Sequence, residues 1–430
     1  MTTSISRRAF ARRGLAAAAT VSTVSFPFIA RAGASPGERV RLGVMGTNGR
    51  GSELIRGFSS LGGAEIAYVC DVDSRAIGKG VKAVNAEKQS QEPKGVKDFR
   101  RILEDRNVDA LVVAAPDHWH GPATILACAA GKHVYVEKPA CHNPQEGEWM
   151  VAASRKHRRV VQLGTQRRSY PGIREGIEHL RQGLLGRVLF VRGWYNNTRA
   201  SIGVGKPAPV PSWLDFDLWQ GPAPDRPYKD NIIHYNWHWF WHWGTGELGN
   251  NGIHSLDVCR WGLGVDYPLH VTCGGGKYRF EDDQETPDTQ VVTFDFGGKS
   301  IVWEGRSWHP RGFEGSGFGA AFYGERGTMI MDGGTYKVFD FNGKEMAQQQ
   351  AKGGDSLHYQ NFLDAIRADR RPNADIEDGY KSTLLCHLGN IAWRTGRALK
   401  LDAQTHGIVG DPEAAALWSR EYRPGWTPQV

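Results

Sequence analysis

The chain has 430 residues, 53 Lys and Arg against 46 Asp and Glu, and a formal net charge of +7. Five of its arginines (Arg7, Arg8, Arg12, Arg13 and Arg31) precede the first acid, Glu38, so removing residues 1–32 lowers the charge from +7 to +2. A nearly neutral chain with no remaining Lys/Arg block excludes nucleic acid and an anionic membrane surface as the partners its composition serves.

Residues 6–12 read Ser-Arg-Arg-Ala-Phe-Ala-Arg, a mildly apolar run follows over 15–30, and Ala30-Arg31-Ala32 supplies a small-x-small cleavage site. That order predicts a twin-arginine signal and a periplasmic destination. The run contains Pro27 and is too short and polar for a stable membrane anchor. The six cysteines include no C-x-x-C spacing, and a chain that folds before export is expected to carry them as buried free thiols.

The roughly 400 remaining residues suit two domains rather than one. Short apolar runs at 40–45, 65–70, 110–114, 133–136 and 159–163 alternate with helical periods such as 52–60 and 122–130. This α/β alternation predicts a doubly wound parallel sheet over residues 38–163. Beyond it, one helix-like stretch (172–182) precedes Val-, Phe-, Tyr- and Trp-rich strands at 187–195, 289–296, 300–305 and 328–331. Residues 164–400 are therefore expected to form an α+β domain with a large, mostly antiparallel sheet. Two amphipathic helices are predicted near 356–368 and 380–395, and residues 401–430 as a tail packing on the body.

Gly43-Val-Met-Gly46-Thr47-Asn48-Gly49-Arg50-Gly51 follows the first strand and opens a helix. Glycines there allow a tight turn and close approach to a pyrophosphate, whose charge the helix N-terminus meets. As a G-x-G-x-x-G fingerprint it has Asn48 at the middle position, and Asn tolerates positive φ. Asp71 ends the second strand twenty residues after Gly51. An acid there accepts ribose hydroxyls and repels a 2′-phosphate, which favours NAD over NADP; Asp71 or Asp73 can alternatively cap the next helix.

Further on come Ala115-Pro116-Asp117-His118-Trp119-His120 and Gly131-Lys132-His133-Val134-Tyr135-Val136-Glu137-Lys138-Pro139. With Gly164-Thr-Gln166-Arg167-Arg168, the 246–261 segment, Phe362-Leu-Asp-Ala-Ile-Arg and Cys386-His-Leu-Gly-Asn-Ile-Ala, these residues resemble the Gfo/Idh/MocA oxidoreductase family over most of the mature chain. The resemblance implies a nicotinamide-dependent enzyme of sugars or cyclitols, with Pro116, His120, Glu137 and Lys138 at the cofactor. Lys138 would polarise the reacting oxygen and His254 would move its proton. Family members often carry an acid four residues before that histidine, on one helical face; here Asn250 stands in its place and can orient a hydroxyl but take no proton. His254 can also be read as a helix histidine satisfied within the fold.

Gln166, Arg167 and Tyr170 are candidates for the substrate rim. In 234–243 Trp recurs at every second position, which on an extended segment puts all four on one side. Those rings can form a carbohydrate wall or an aromatic core cluster, with Tyr235, Trp237 and His238 as candidate substrate contacts. His238 and His242 stand four apart, but acids are sparse there and no H-E-x-x-H occurs, so no metal is expected. A carbohydrate substrate and a homodimer or homotetramer complete the expectation. Two other readings remain: a glycosidase using transient oxidation, as in members resembling glycoside hydrolase family 109, and a sugar-binding protein without activity.

Overall fold

A computed structural model describes residues 39–349, 351 and 353–430; the expected signal at 1–32 lies outside them. The first half builds β1 (Val40–Met45), α1 (Arg50–Ser59), β2 (Ala64–Cys70), α2 (Ser74–Ala86), β3 (Lys94–Val96), α3 (Arg100–Glu104), β4 (Ala110–Val113), α4 (Asp117–Ala129), β5 (His133–Val136), α5 (Pro144–Lys156) and β6 (Val161–Leu163). These strands pair in parallel in the order β3-β2-β1-β4-β5-β6. The order reverses between β1 and β4, and in open α/β sheets ligands bind at that crevice beyond the strand ends. Burial along the central strands is continuous: Leu42, Val44, Leu111, Val112, Val134 and Val136 are fully enclosed, as both faces of the sheet carry helices.

The second half adds α6 (Pro171–Arg181), β7 (Val188–Asn196), α7 (Phe216–Gln220), α8 (Ile253–Leu263), β8 (His270–Gly276), β9 (Thr289–Asp295), β10 (Ser300–Arg306), β11 (Phe318–Gly324), β12 (Gly327–Asp332), β13 (Thr335–Phe339) and β14 (Glu345–Gln349). The chain ends with α9 (Asp355–Arg367), α10 (Ile376–Thr395), β15 (Leu399–Leu401), β16 (Ile408–Val409) and α11 (Pro412–Ala416). A ten-stranded sheet runs β14-β13-β12-β11-β7-β10-β9-β8-β15-β16, antiparallel except for the parallel β7–β10 pair. Gly193 faces α8 so closely that a Cβ there would fall 2.3 Å from Ser255 Oγ. That contact fixes which face of the sheet the helices cover.

The expected two-part division is crossed by α9. Its Tyr359, Phe362 and Leu363 join the core formed by Leu54, Phe58 and Tyr135, with the Phe58 and Phe362 rings 6.1 Å apart. The tail also reaches the first half, where Trp426 meets Trp119 edge-on at 5.2 Å. Apolar side chains on a late helix dock wherever the matching face is open, which chain order does not reveal. The six cysteines are unpaired; five are buried and Cys273 is partly so. No helix among the described residues is long and apolar enough to cross a membrane.

Candidate active site

A cleft of about 540 Å³ opens at the β1/β4 switch point. Its floor is the glycine turn. Gly46 adopts φ +83°, and a Cβ there would lie 2.6 Å from the Ala114 carbonyl oxygen; a Cβ on Gly51 would lie 1.7 Å from the Gly46 oxygen. Both positions therefore require glycine. Asn48, Gly49 and Arg50 line the cleft, while Thr47 and Gly51 brace the turn from beneath. Gly49 caps α1 without a side-chain hydrogen bond, leaving the helix N-terminus open to a phosphate group.

Thr47 N donates to Asp71 Oδ2 at 2.7 Å and Asp73 N to Asp71 Oδ1 at 2.9 Å, so the acid is held rigidly at the end of β2. Burial pushes its pKa up, and those amide bonds oppose the shift. Asp73 is the residue that caps α2, through Arg75 N, which frees Asp71 to face the cleft. A turn that only glycine can make, an uncapped helix and an oriented acid together fit a dinucleotide.

The far end of this cleft is closed by a strap from the second half. Ser74 N donates to Trp213 O and Asp215 N to Val72 O, each at 3.0 Å. His234 Nε2 lies 2.8 Å from Asp73 Oδ2, and the Arg75 guanidinium covers the Trp213 ring at 3.4 Å. His234 was not marked by its sequence neighbourhood, because its partner is 161 residues away.

Lys138 follows β5 and projects into the cleft, where its Nζ donates to both the backbone oxygen and Oδ1 of Asn250 at 2.9 Å. Burial lowers the lysine's pKa, opposed by Glu137 and Asp117. Glu137 accepts from Arg50 Nε at 2.9 Å, and Arg50 also reaches Asp355 and Tyr359, so the guanidinium ties α1, β5 and α9 together at the cleft. His120 sits with its ring nitrogens 2.6 and 2.8 Å from the Pro139 and Ala115 oxygens, clamping the Lys138–Pro139 turn, while Pro116 lines the adjacent wall. Asp117, which sequence patterning passed over as a site residue, lies buried in the same wall and accepts from Thr245 Oγ1 at 2.6 Å.

The segment expected as one regular helix begins instead with a π-turn over Leu248–Gly252, ahead of α8. Such a turn holds more residues than an α-turn, so Asn250 and His254 are not stacked on one face as i, i+4 spacing implied. Asn250 lines the cleft; His254 does not, and sits half-buried beside it, with Arg167, Lys138 and Arg50 as its charged neighbours. Burial foremost, then those cations, holds its pKa well below the usual histidine range. Its Nδ1 is buried without a hydrogen-bond partner among the described residues. The missing acid has a near substitute: Glu247 Oε1 accepts from Asn250 Nδ2 at 3.5 Å and from Asn251 Nδ2, and the Glu247 carboxylate pairs with Arg199.

Gln166, Arg167 and Tyr170 lie outside the cleft wall. Gln166 is buried against Tyr135 and Glu137, Arg167 stacks on Phe318 at 4.0 Å, and Tyr170 donates to Asp355 at 2.7 Å. The Trp-rich stretch is not extended either; Asn236–Trp239 curls into a 3₁₀ turn, with Phe240 N bonded to Trp237 O. Its aromatics consequently divide. Trp243 is buried against Trp219 at 5.2 Å, whereas Tyr235, Trp237 and His238 stack along the cleft. Burial pushes the His238 pKa down to about 3, and Asn250 Nδ2 donates to Tyr235 Oη at 3.5 Å.

A parallel sheet with a glycine turn, an oriented acid and a half-buried lysine at its switch point has the form of a dinucleotide-binding site. The family model for the NAD-binding Rossmann fold of the Gfo/Idh/MocA oxidoreductases matches residues 40–165, and the model for their C-terminal alpha/beta domain matches 195–428. The chain belongs to this oxidoreductase family. A glycosyl hydrolase family 109 protein of Saccharopolyspora erythraea is 35% identical over 162 residues, 37% of this chain and 35% of that protein. An inositol 2-dehydrogenase of Salmonella paratyphi B is 26% identical over 160 residues, 37% of this chain and 46% of that protein. These matches thus span less than half the length of either relative. Among solved structures, a levoglucosan dehydrogenase with NADH and levoglucosan shares the fold at TM-score 0.66 and 15% identity, covering 84% of this chain and 99% of that one. An aldose-aldose oxidoreductase from Caulobacter crescentus, complexed with glycerol, gives TM-score 0.66 at 20% identity, covering 84% and 100%.

Proposed function

We propose that this enzyme carries out reversible hydride transfer on a carbinol of a sugar, sugar derivative or cyclitol. The observation that carries the reading is the bond from Lys138 to Asn250 beside the glycine turn. When bound, NAD supplies the hydride acceptor. Lys138, a cation partly stripped of water, hydrogen-bonds the reacting oxygen and stabilises charge developing there. His254, held neutral by burial and the cations around it, accepts the hydroxyl proton through Nε2, since its Nδ1 is buried. Asn250 orients the ring through its amide, and the Tyr235, Trp237 and His238 rings offer faces to sugar C–H groups. The strap over Asp73 favours a tightly held NAD, which suits an enzyme loaded before twin-arginine export to the periplasm.

The Asn at position 250 and the relatives named as glycosyl hydrolase family 109 proteins support a second reading, in which the sugar is oxidised transiently and the glycosidic group eliminated. For the assembly, we favour a homodimer or homotetramer through the face of the ten-stranded sheet opposite α8, where Phe190 and Tyr323 pack at 5.6 Å.

The test begins with protein purified without added cofactor and denatured to release nucleotide. Near-stoichiometric NAD(H) supports the reading; protein that neither carries nor binds NAD overturns it. Assays then separate the two chemistries. Sugar-dependent formation of NADH marks a dehydrogenase, and cleavage of aryl glycosides with no net NADH marks the glycosidase. Cell fractionation with an Arg7→Lys, Arg8→Lys variant tests export.

A further inference from the structure

A second cavity, of about 310 Å³, lies apart from the dinucleotide cleft, where the C-terminal tail crosses α10 and the loop that begins α5. Its walls carry three arginines, Arg226, Arg394 and Arg420, and one acid, Glu421, among the described residues. The arginines are poorly neutralised. Arg420 donates to three neutral acceptors, namely His142 Nδ1, the His242 oxygen and the Glu421 backbone oxygen, and forms no ion pair among the described residues. Arg394 makes neither a hydrogen bond nor an ion pair with any of them, and rests over the Trp241 ring at 5.2 Å. Arg226 has only a long contact of 3.6 Å to Glu285.

The histidines of this cavity are committed elsewhere as neutral rings. His142 accepts from Arg420 at Nδ1, so its Nε2 carries the proton given to the Trp241 oxygen at 2.9 Å. His242 is bonded to the Pro224 oxygen at 2.7 Å, and His387 faces Cys141. Burial holds the pKa of His142 and His387 below the usual range and lowers that of Arg420 as well. Local charge is thus set by guanidinium groups; the carboxylates that act on them, buried Glu146 beside Arg420 and Glu285 beside Arg226 and Arg394, stand outside the wall and are fewer than the three arginines.

Guanidinium donors match the paired oxygens of carboxylates and phosphates; Arg226 and Arg394 are exposed and accessible to such a partner, and the partly desolvated Arg420 gains most from it. Trp241, Ile391 and Leu417 add an apolar side to the same cavity. We propose that this cavity is a second binding site, for a small organic oxyanion whose carboxylate or phosphate engages Arg394 and Arg420 and whose carbon skeleton packs on Trp241. An occupant would join the tail at Leu417 and Arg420 to α10 at Arg394, binding the last segment of the chain to the body.

The test uses the NAD-saturated enzyme, so that the glycine turn cannot take up the probe. Inorganic phosphate and sodium gluconate are titrated separately at constant ionic strength, by calorimetry and by thermal unfolding. Saturable binding of either probe, weakened at least tenfold in Arg394→Gln, is expected; phosphate alone would indicate a phosphoryl ligand and gluconate alone a carboxylate. Arg420→Gln, checked for folding by circular dichroism and NAD content, should show the same loss. No saturable binding of either anion, or binding unchanged in Arg394→Gln, would overturn the proposal.

Discussion

Lys138 and Asn250 meet across 112 residues of sequence, with Nζ donating at 2.9 Å to both the backbone and the side-chain oxygen of the asparagine. The lysine comes from just beyond the C-terminal end of β5 in the parallel sheet and the asparagine from the π-turn before α8, so each half of the molecule contributes one side of the contact. Replacing Lys138 by Met should lower kcat/KM by at least about 10²-fold, the usual cost of removing one such donor, with a much smaller loss of bound NAD because Lys138 also lines the cofactor cleft. Steady-state kinetics and nucleotide extraction on the same preparation check both parts.

Burial lowers the Lys138 pKa, so a step that needs the ammonium weakens as pH rises through that lowered value. Asn250→Asp puts a carboxylate beside the lysine and favours its charged form. The alkaline limb of the kcat/KM profile should then move to higher pH. An unmoved limb would remove Lys138 as its origin.

His254 is neutral throughout the physiological range, because burial and the cations around it oppose protonation. His254→Asn should therefore reduce kcat by about 10²- to 10⁴-fold across the physiological range, with no new titration appearing there. Stopped-flow absorbance at the nicotinamide band gives the measurement, and near-normal kcat would return His254 to a structural role.

Asp71→Asn should weaken NAD by about tenfold and narrow its preference over NADP, since the variant loses charge-assisted ribose contacts and no longer repels a 2′-phosphate. Separately, Trp213→Ala should speed NAD release with little change at the reacting end, because the Trp213 ring carries the Arg75 guanidinium at 3.4 Å and stacks on His234, which holds Asp73. Competition with a fluorescent nucleotide reads affinity and off-rate for each.

Glu146 offers a stability test away from the cleft. Burial raises its pKa from 4.5 to about 7, partly offset by bonds from His142 N and Tyr422 Oη. A folded-state pKa above the unfolded one contributes stability that is full below pH 4.5 and is lost as pH rises through 7. The wild type should lose up to about 3 kcal/mol over that interval, and Glu146→Gln should show a flatter thermal midpoint between about pH 5 and 8. Calorimetric unfolding across that range decides it.

Much of the first domain was legible because parallel strands buried on both faces read as continuous apolar runs. Residues 40–45 and 133–136 match their strands end to end. The three-residue β3 escaped notice, since Lys94 and Gly95 are exposed and leave no apolar signal. The glycine turn and Asp71 were legible because turn geometry and strand length are local. Arg199, Glu247 and His234 were not, because their significance lies in partners 48 and 161 residues away in sequence.

Sequence by itself determined the two-part architecture and the glycine turn, which follow from backbone sterics and side-chain period, and the lysine at the strand end, which followed from the family resemblance. Tertiary structure decided where the remaining groups point. A π-turn separated Asn250 from the face of His254, a 3₁₀ turn sent Trp243 into the core and His238 to the cleft, and α9 returned to the first domain. Each outcome depends on packing between segments far apart in the chain, and local periodicity carries no record of which surfaces will meet.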